Sequence, residues 1–222
     1  MEQGDQEDGG VVGIALTKCM DLEADLSRLV EELAIVDSLF HAEAEQHPAR
    51  RWEYSMALRA AKGLNGRSIY PHVALDVGGA GSPLVHMLTR LGFSTHVIDP
   101  KVNVDLAAAV AGGMRADFVT CISVIEHVPD LMQFIWELGQ VVRPSWRLFL
   151  TCDIWSRDEG EADTAHFAHM RERIFTPKTW SMVAAEFLQG GFSFYGEQEW
   201  EYRGDQLYGS YSFASLALEK KV

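Results

Sequence analysis

The residues best suited to chemistry follow a short apolar strand near the end of the first third of the chain. This strand runs from Val73 to Val77 and carries one acidic residue, Asp76. The turn after it holds three glycines: Gly78, Gly79 and Gly81. Glycines let backbone N–H groups approach a ligand closely, and the N-terminus of a following helix adds unpaired donors and a positive dipole. The pattern of strand, glycine turn and helix is typical of a nucleotide-cofactor site.

The residues after the turn extend this pattern. Ser82 is a good N-cap and Pro83 a good first helical residue, so we expect a helix to begin directly after the turn. A second strand then ends at Asp99, 23 residues after Asp76. A carboxylate there can accept hydrogen bonds from both hydroxyls of a ribose. A strand-end cap before Pro100 is the alternative role for Asp99.

Two cofactor classes use this layout, and the glycine spacing separates them in part. A dinucleotide fingerprint has the spacing Gly-x-Gly-x-x-Gly, whose third glycine lets the helix pack closely on the strand. Counted from Gly79, the third glycine position is Leu84, and counted from Gly78, the second is Ala80. The fit to a nicotinamide enzyme is therefore poor. Asp76 adds a buried carboxylate that needs donors, which turn amides or a cationic amino group could supply.

The segment from Asp76 to Gly81 resembles motif I, Asp/Glu-x-Gly-x-Gly-x, of the class I S-adenosylmethionine-dependent methyltransferases. The segment Ala116–Val128 resembles the fourth-strand motif of the same family, with an aspartate entering the strand and a Glu-His pair after it. The resemblance covers the chain from about Trp52 to its C-terminus. It implies S-adenosyl-L-methionine as the cofactor and a methyl-transfer reaction.

The resemblance also implies which residues bind the cofactor: Trp52, Tyr54, Asp76, Gly78, Gly79, Gly81, Asp99, Asp105, Leu106 and Ser123. Trp52 and Tyr54 belong to a segment that closes over the methionine end of the cofactor in many family members. Asp105 and Leu106 stand where the family contacts adenine. For Trp52, a role as a core anchor stays open beside this one.

Three histidines are candidate catalytic residues: His127, His166 and His169. The sulfonium methyl is already a strong electrophile, so the protein must chiefly bind, align the nucleophile and exclude water. A histidine near neutral pKa could still take a proton from a hydroxyl or ammonium nucleophile. A structural role for His127 and a solvated position for the other two are the alternatives.

The same histidines take part in a second resemblance, to the metal-binding pattern of small-RNA 3′-end 2′-O-methyltransferases. In that pattern two glutamates three residues apart, the adjacent histidine and a later histidine hold a divalent ion. Ser123 stands here in place of the first glutamate and is a weak ligand for a hard cation. We therefore predict no metal site. Metal-assisted RNA methylation and S-adenosylmethionine binding without turnover remain alternatives to methylation of an O or N nucleophile on a small molecule.

Composition restricts the partners. The net charge of −13 and the absence of a long Lys/Arg stripe disfavour binding of long nucleic acid through its phosphates. The sequence shows no signal peptide and no run long enough to span a membrane, which predicts a cytoplasmic protein that acts away from membranes. Three cysteines without Cys-x-x-Cys spacing predict reduced, mostly buried thiols.

The expected fold class is α/β: a Rossmann-like, doubly wound, seven-stranded mixed sheet with an antiparallel last strand, preceded by N-terminal helices. We divide the chain into a disordered acidic tail (1–10), an N-terminal helical segment (11–70) and the α/β core (71–222). Helical spacing of apolar residues predicts one long or two shorter helices between about Ile14 and Gln46. These helices either pack on the core or act as a lid or a dimer contact.

The later elements alternate as a doubly wound sheet requires. We expect a very short third strand from Val102 to Asp105. The remaining predicted elements are helices at Leu131–Val142 and Pro177–Gln189, and strands at Trp146–Asp153, Phe192–Trp200 and Ser210–Glu219.

Overall fold

An eight-stranded mixed sheet lies between two layers of helices in the computed structural model, which describes residues 15–39, 48–64, 71–102, 104–155, 175–201 and 211–222. The strands are β1 (Thr17–Cys19), β2 (Val73–Val77), β3 (Ser94–Ile98), β4 (Ala116–Ile122), β5 (Val142–Trp155), β6 (Phe192–Phe194), β7 (Gln198–Glu199) and β8 (Tyr211–Lys220). The helices are α1 (Leu22–Arg28), α2 (Val30–Leu39), α3 (Pro48–Ala61), α4 (Leu84–Arg90), α5 (Leu106–Ala111), α6 (Leu131–Val141) and α7 (Pro177–Gln189). Two short 3-10 segments follow β3 and β4, at Pro100–Val102 and Ile125–His127.

The strand order is β3-β2-β4-β5-β8-β1-β7, and β6 pairs with β8 outside this path. Strands β2, β3, β4 and β5 are parallel, and β8 runs antiparallel to β5. The predicted mixed α/β sheet with an antiparallel last strand is thus confirmed, with eight strands in place of seven. The carboxyl ends of β2, β3, β4 and β5 lie along one edge, where ligands bind in sheets of this type.

Alternation of side chains along the central strands produces two cores. Ala74 and Phe118 face the layer formed by α1 to α4, while Leu75 and Val119 face the layer formed by α5 to α7. Each of these side chains is fully buried. The sheet is therefore covered on both faces, which fixes the register of β2 and β4 and the position of the loops that follow them.

The N-terminal segment differs from its prediction at one place. Thr17–Cys19, inside the stretch predicted to be helical, forms β1 between β8 and β7. The Thr17 side chain accepts a hydrogen bond from the Ala217 amide at 3.0 Å, so partners near the other end of the chain override the local helical spacing. The rest of the described segment is helical, as α1 and α2.

These two helices pack against α3. Arg51 on α3 donates two hydrogen bonds to Asp37 on α2, at 2.9 and 2.7 Å. Arg59 on α3 donates to the fully buried carboxylate of Glu32 on α2 at 2.8 Å. The N-terminal helices therefore hold α3 in place from the side opposite the sheet.

The predicted third strand, Val102 to Asp105, is wrong for the described residues of this stretch. The chain turns at once after β3, because the Asp99 carbonyl oxygen accepts the Val102 amide at 2.9 Å and closes a 3-10 turn. What is left of strand pairing is a single bridge between Asp99 and Val104.

The predicted strand from Phe192 to Trp200 is divided into β6 and β7. Gly196, at φ +78°, turns the chain between them, and β7 pairs with β1 instead of β8. A left-handed glycine interrupts the extended backbone that the apolar residues favour.

Within the described residues no helix is long and apolar enough to cross a membrane.

Candidate cofactor site

The glycine turn after β2 approaches two neighbouring segments closely. The Gly78 amide donates to the Ile98 carbonyl at 2.7 Å, which joins the turn to the end of β3. Gly78 has φ +79°, and a Cβ there would overlap the side chain of Val124, just after β4. Gly81, at φ +81°, faces open space. Position 78 therefore requires glycine because of its positive φ and because there is no space for a Cβ atom. Position 81 requires glycine because of its positive φ alone.

Asp76 places a nearly fully buried carboxylate under this turn. Its Oδ1 accepts the Thr120 hydroxyl at 2.8 Å, while Oδ2 has no hydrogen-bond partner of ordinary geometry and lies against Gly79. Burial raises the pKa of Asp76 to about 6, although the Thr120 and Ser82 hydroxyls act to lower it. A buried acceptor without a donor costs free energy, so this oxygen is suited to receive a donor from a ligand.

Asp99 begins the loop after β3 and binds backbone amides on two sides. Its Oδ2 accepts the Ala80 amide at 3.1 Å, and its Oδ1 accepts the Lys101 amide at 2.8 Å. A carboxylate has about four lone-pair sites, so acceptor capacity remains for two further donors. Asp99 thus joins the glycine turn to the loop after β3.

Two cavities adjoin along this edge and share Val77, Gly78 and Val124 as lining residues. The first has a volume of about 450 Å³ and is bounded by the glycine turn and by Arg50, Tyr54 and Ser123. The second, of about 420 Å³, is bounded by Asp105, Leu106 and His127 among others. Both volumes are in the range of small-molecule and cofactor sites. Together they form one cleft across the carboxyl end of β2.

One face of α3 closes the first cavity. Arg50 and Tyr54 line it, one helical turn apart, and Glu53 lies fully buried between them. Burial lowers the pKa of Arg50, but attraction chiefly to the Glu53 carboxylate opposes it and the net shift is upward, so the guanidinium stays charged. Burial raises the pKa of Tyr54, although a hydrogen bond with the Ser82 hydroxyl acts to lower it. Tyr54 therefore connects α3 with the turn.

Glu53 joins α3 to the ends of β4 and β5. Its Oε1 accepts the hydroxyl of Ser123 at 2.6 Å and that of Thr151 at 2.5 Å, and its Oε2 accepts Arg50 at 2.9 Å. The Ser123 amide in turn donates to the Thr151 hydroxyl oxygen at 3.1 Å. Ser123 has φ +48°, a conformation that a residue with a side chain adopts when its surroundings hold it there.

Glu126 is a second buried carboxyl near this network. Its Oε1 accepts the Asp153 amide at 3.3 Å, and its Oε2 has no hydrogen-bond partner. Burial first, then the nearby charge of Asp153, raises the pKa of Glu126 well above its usual range. Burial therefore disfavours the ionised form of Glu126 in the folded protein.

The structure divides the residues predicted to bind the cofactor between the two cavities. Those lining the first are Tyr54, Asp76, Gly78, Gly79, Gly81 and Ser123. Those lining the second are Gly78, Asp105 and Leu106. Asp99 lies behind the cleft lining, 6% exposed, with its neighbours Ile98 and Pro100 facing the second cavity.

Trp52 lines neither cavity. Its side chain is fully buried among the residues of the α1–α4 layer, and its indole N–H donates to Asp25 at 2.7 Å. On α3 it points to the side opposite that of Arg50 and Tyr54, because residues two positions apart face different directions on a helix. The structure thus places Trp52 in the core.

Of the predicted catalytic residues, His127 is exposed and lines the second cavity, on the side of Asp105 and Leu106. His166 and His169 lie outside the described residues. In the described part of the chain, no group of three or more His, Cys, Asp and Glu side chains is arranged to hold a metal ion. The Ser123 hydroxyl, at the position of a metal ligand in the RNA enzymes' pattern, is bound to Glu53.

Arg50 and Glu53 were not among the residues predicted from the sequence to form the site. Arg50, Glu53 and Tyr54 have the spacing i, i+3, i+4, which puts an ion pair and an aromatic residue on one face of a helix. That spacing, just ahead of β2, is the signal that could have identified them.

No protein-family model matches the sequence. A curated relative, a ubiquinone biosynthesis O-methyltransferase of Saccharophagus degradans, is 30% identical over 146 residues, which are 52% of this chain and 62% of that protein. The match therefore spans less than two thirds of that relative.

Solved structures share the fold at low sequence identity. Phosphoethanolamine N-methyltransferase 2 of Haemonchus contortus, in complex with S-adenosyl-L-methionine, has a TM-score of 0.55 and 11% identity over 91% of this chain and 60% of its own. The [4+2]-cyclase SpnF has a TM-score of 0.51 and 13% identity over 77% of this chain and 84% of its own. At such identity the likeness concerns the fold, and the two proteins carry different activities. The glycine turn with its buried aspartate and the mixed sheet belong to a fold that this chain shares with these solved structures, and the curated relative is an O-methyltransferase.

Proposed function

We propose that this protein binds S-adenosyl-L-methionine and transfers its methyl group to an O or N nucleophile of a small molecule. The observation that carries the proposal is the buried Asp76 oxygen, unpartnered beneath the glycine turn and beside a cleft with two compartments. A ligand with a cationic or N–H donor at one end and an apolar ring at the other fits this arrangement.

In the first cavity, Arg50 would bind the carboxylate of the cofactor's amino-acid end. The guanidinium is charged, lines the cavity and is 38% exposed, so it is available to an anionic group. Asp76 would complement the ammonium of the same end by way of its unpartnered oxygen. Tyr54 and Ser82, joined by their hydroxyls, would close this compartment against water.

The second cavity would hold the nucleoside end. Its lining is mainly apolar and includes Leu106, Val128 and Phe134, which suits the faces of an adenine ring. Asp99 stands behind the junction of the two cavities, and its spare lone pairs would accept the ribose hydroxyls.

The bound cofactor supplies an electrophilic methyl group, so the chain's own residues need to orient the acceptor and exclude water. Burial raises the pKa of Glu126 and disfavours its ionised form, so we do not choose it as the base. His127, exposed at the second cavity, and His166 and His169 remain our candidates for taking the proton of an acceptor hydroxyl or ammonium.

A small-molecule acceptor is favoured over RNA by charge. The net charge of −13 opposes the approach of a phosphate backbone, and a long nucleic acid would need a basic stripe that the sequence lacks. The three cysteines are free and buried, which supports a reducing, cytoplasmic location.

The test is transfer of an isotopically labelled methyl group from S-adenosylmethionine into two separate fractions of a cell extract, one of dialysable small molecules and one of purified RNA. We expect label in the small-molecule fraction, and a strong reduction with Asp99→Asn. Label in RNA would support the RNA alternative. Cofactor binding without transfer to either fraction would support a non-catalytic binding protein.

A further inference from the structure

We infer that Glu53 is a positioning residue that sets the selectivity of the site for the amino-acid end of its cofactor. The inference rests on the proposed function, since it assumes that S-adenosyl compounds occupy the cleft. It concerns a side chain that faces no ligand itself, being fully buried behind the first cavity.

Glu53 fixes two cavity-lining residues at once. Arg50 is bound through one carboxylate oxygen and Ser123 through the other, at 2.9 and 2.6 Å. These residues come from different elements: Arg50 from α3, and Ser123 from the loop after β4. One buried carboxylate thus holds two parts of the cavity lining in place relative to each other.

Both Arg50 and Ser123 need the support of Glu53 to keep their positions. A long arginine side chain, 38% exposed, loses considerable rotamer entropy when it is held in one place, and an ion pair with a buried carboxylate offsets that cost. Ser123 has a left-handed backbone, which its hydroxyl bond to Glu53 and its amide bond to Thr151 stabilise. Without Glu53, both parts of the cavity lining are free to relax.

The effect of Glu53 is local to the first cavity, at one end of the cleft. The residues that line the second cavity make no hydrogen bond with Glu53 among the contacts of the described chain. A ligand that fills the second cavity and omits the amino-acid end should therefore be insensitive to Glu53. 5′-Methylthioadenosine is such a ligand, because it keeps the adenosine and lacks the amino-acid group of S-adenosylhomocysteine.

The experiment measures the dissociation constants of S-adenosylhomocysteine and 5′-methylthioadenosine for the wild type and Glu53→Gln by calorimetry. Glutamine keeps one acceptor oxygen and the volume, but it places an amide N–H₂ where Arg50 and the hydroxyls need acceptors. We expect Glu53→Gln to weaken the binding of S-adenosylhomocysteine by roughly tenfold or more, and the binding of 5′-methylthioadenosine by less than about threefold.

Glu32→Gln is the matched control. Glu32 is also fully buried and also pairs with an arginine of α3, Arg59, but it lies on the side away from the cleft. We expect it to lower the melting temperature and to leave the ratio of the two dissociation constants unchanged. A ratio that changes with Glu53→Gln and not with Glu32→Gln separates positioning from general destabilisation.

Glu53→Asp keeps the test decisive if Glu53→Gln folds poorly, because it retains the buried charge and shortens its reach to Arg50 and Ser123. A double-mutant cycle of the folded Glu53 variant with Arg50→Gln then separates action through Arg50 from action through Ser123. Arg50 is at the surface of the cleft, so its replacement should leave the fold intact. If Glu53 acts through Arg50, the double variant binds S-adenosylhomocysteine no more weakly than Arg50→Gln alone. Equal losses for both ligands, or no loss at all, would overturn the inference. Failure of the wild type to bind either ligand would instead overturn the proposed function on which it rests.

Discussion

The Oδ2 atom of Asp76 lies so close beneath Gly79 that a Cβ built on Gly79 would overlap the carboxylate. The absence of a side chain at Gly79 is therefore what allows a buried acid to reach the turn. Gly79 does not have a positive φ, so glycine is required at this position for space and not for backbone conformation.

Gly79→Ala should displace Asp76 or lift the turn. Overpacking of this kind costs about 1–3 kcal/mol, and we expect a lower melting temperature together with weaker binding of S-adenosylhomocysteine. Gly139→Ala is the control, because that Cβ would meet Phe192 at an ordinary 3.6 Å inside α6. It should bind like the wild type and be at least as stable. Unchanged binding by Gly79→Ala would show that the position of Asp76 does not matter to the ligand.

The raised pKa of Asp76 predicts a pH-dependent stability. The folded carboxyl holds its proton up to about pH 6, against an ordinary value of 3.8, so folding takes up a proton between these values. Raising the pH through this window therefore disfavours the folded state. Relative to Asp76→Asn, the wild type should lose up to about 3 kcal/mol of unfolding free energy between pH 4 and pH 7.

Urea unfolding at several pH values measures this difference. Two parallel stability curves would mean that Asp76 is ionised and well solvated in the folded protein. The same substitution should weaken S-adenosylhomocysteine at pH 7, because the asparagine amide offers no charge to the ligand's ammonium.

Asp99→Asn should weaken the binding of S-adenosylhomocysteine and of 5′-methylthioadenosine alike, by several-fold to a hundredfold. A hydrogen bond to a charged group contributes about 1.5–3 kcal/mol, and both ligands carry the ribose. Asp117→Asn is the matched control: Asp117 is buried and accepts the Val73 amide at 2.8 Å, at the opposite end of β2. It should reduce stability and preserve affinity. Normal affinity in folded Asp99→Asn would remove Asp99 from the site.

Trp52→Phe and Tyr54→Phe should have opposite effects, although they are two residues apart. Trp52→Phe leaves the Asp25 oxygen without its indole donor, which costs about 1–3 kcal/mol of stability, and folded protein should keep its affinity. Tyr54→Phe removes the hydroxyl bound to Ser82 and should reduce affinity more than stability. Thermal unfolding and calorimetry on the same samples distinguish the two. A loss of affinity in folded Trp52→Phe would return Trp52 to the cofactor site.

Sequence patterns over a few residues were sufficient to predict those elements whose structure depends on neighbouring residues alone. The strand Val73–Val77, the glycine turn after it and the helix Pro177–Gln189 were predicted from propensity and periodicity over a few residues, and all three are confirmed. The early helical spacing failed at Thr17–Cys19 because β1 is stabilised by β8, about 200 residues away, as the Thr17–Ala217 contact shows. Glu53 was missed for the same reason, since its hydroxyl partners Ser123 and Thr151 are 70 and 98 residues further along the chain.

The most direct test of the central claim is a calorimetric titration of the purified wild-type protein with S-adenosylhomocysteine, run beside an identical titration with NADH. We predict micromolar binding of S-adenosylhomocysteine, close to one per chain, and no heat of binding with NADH. Absence of S-adenosylhomocysteine binding, or a preference for NADH, would contradict the assignment of the cleft to an S-adenosyl cofactor.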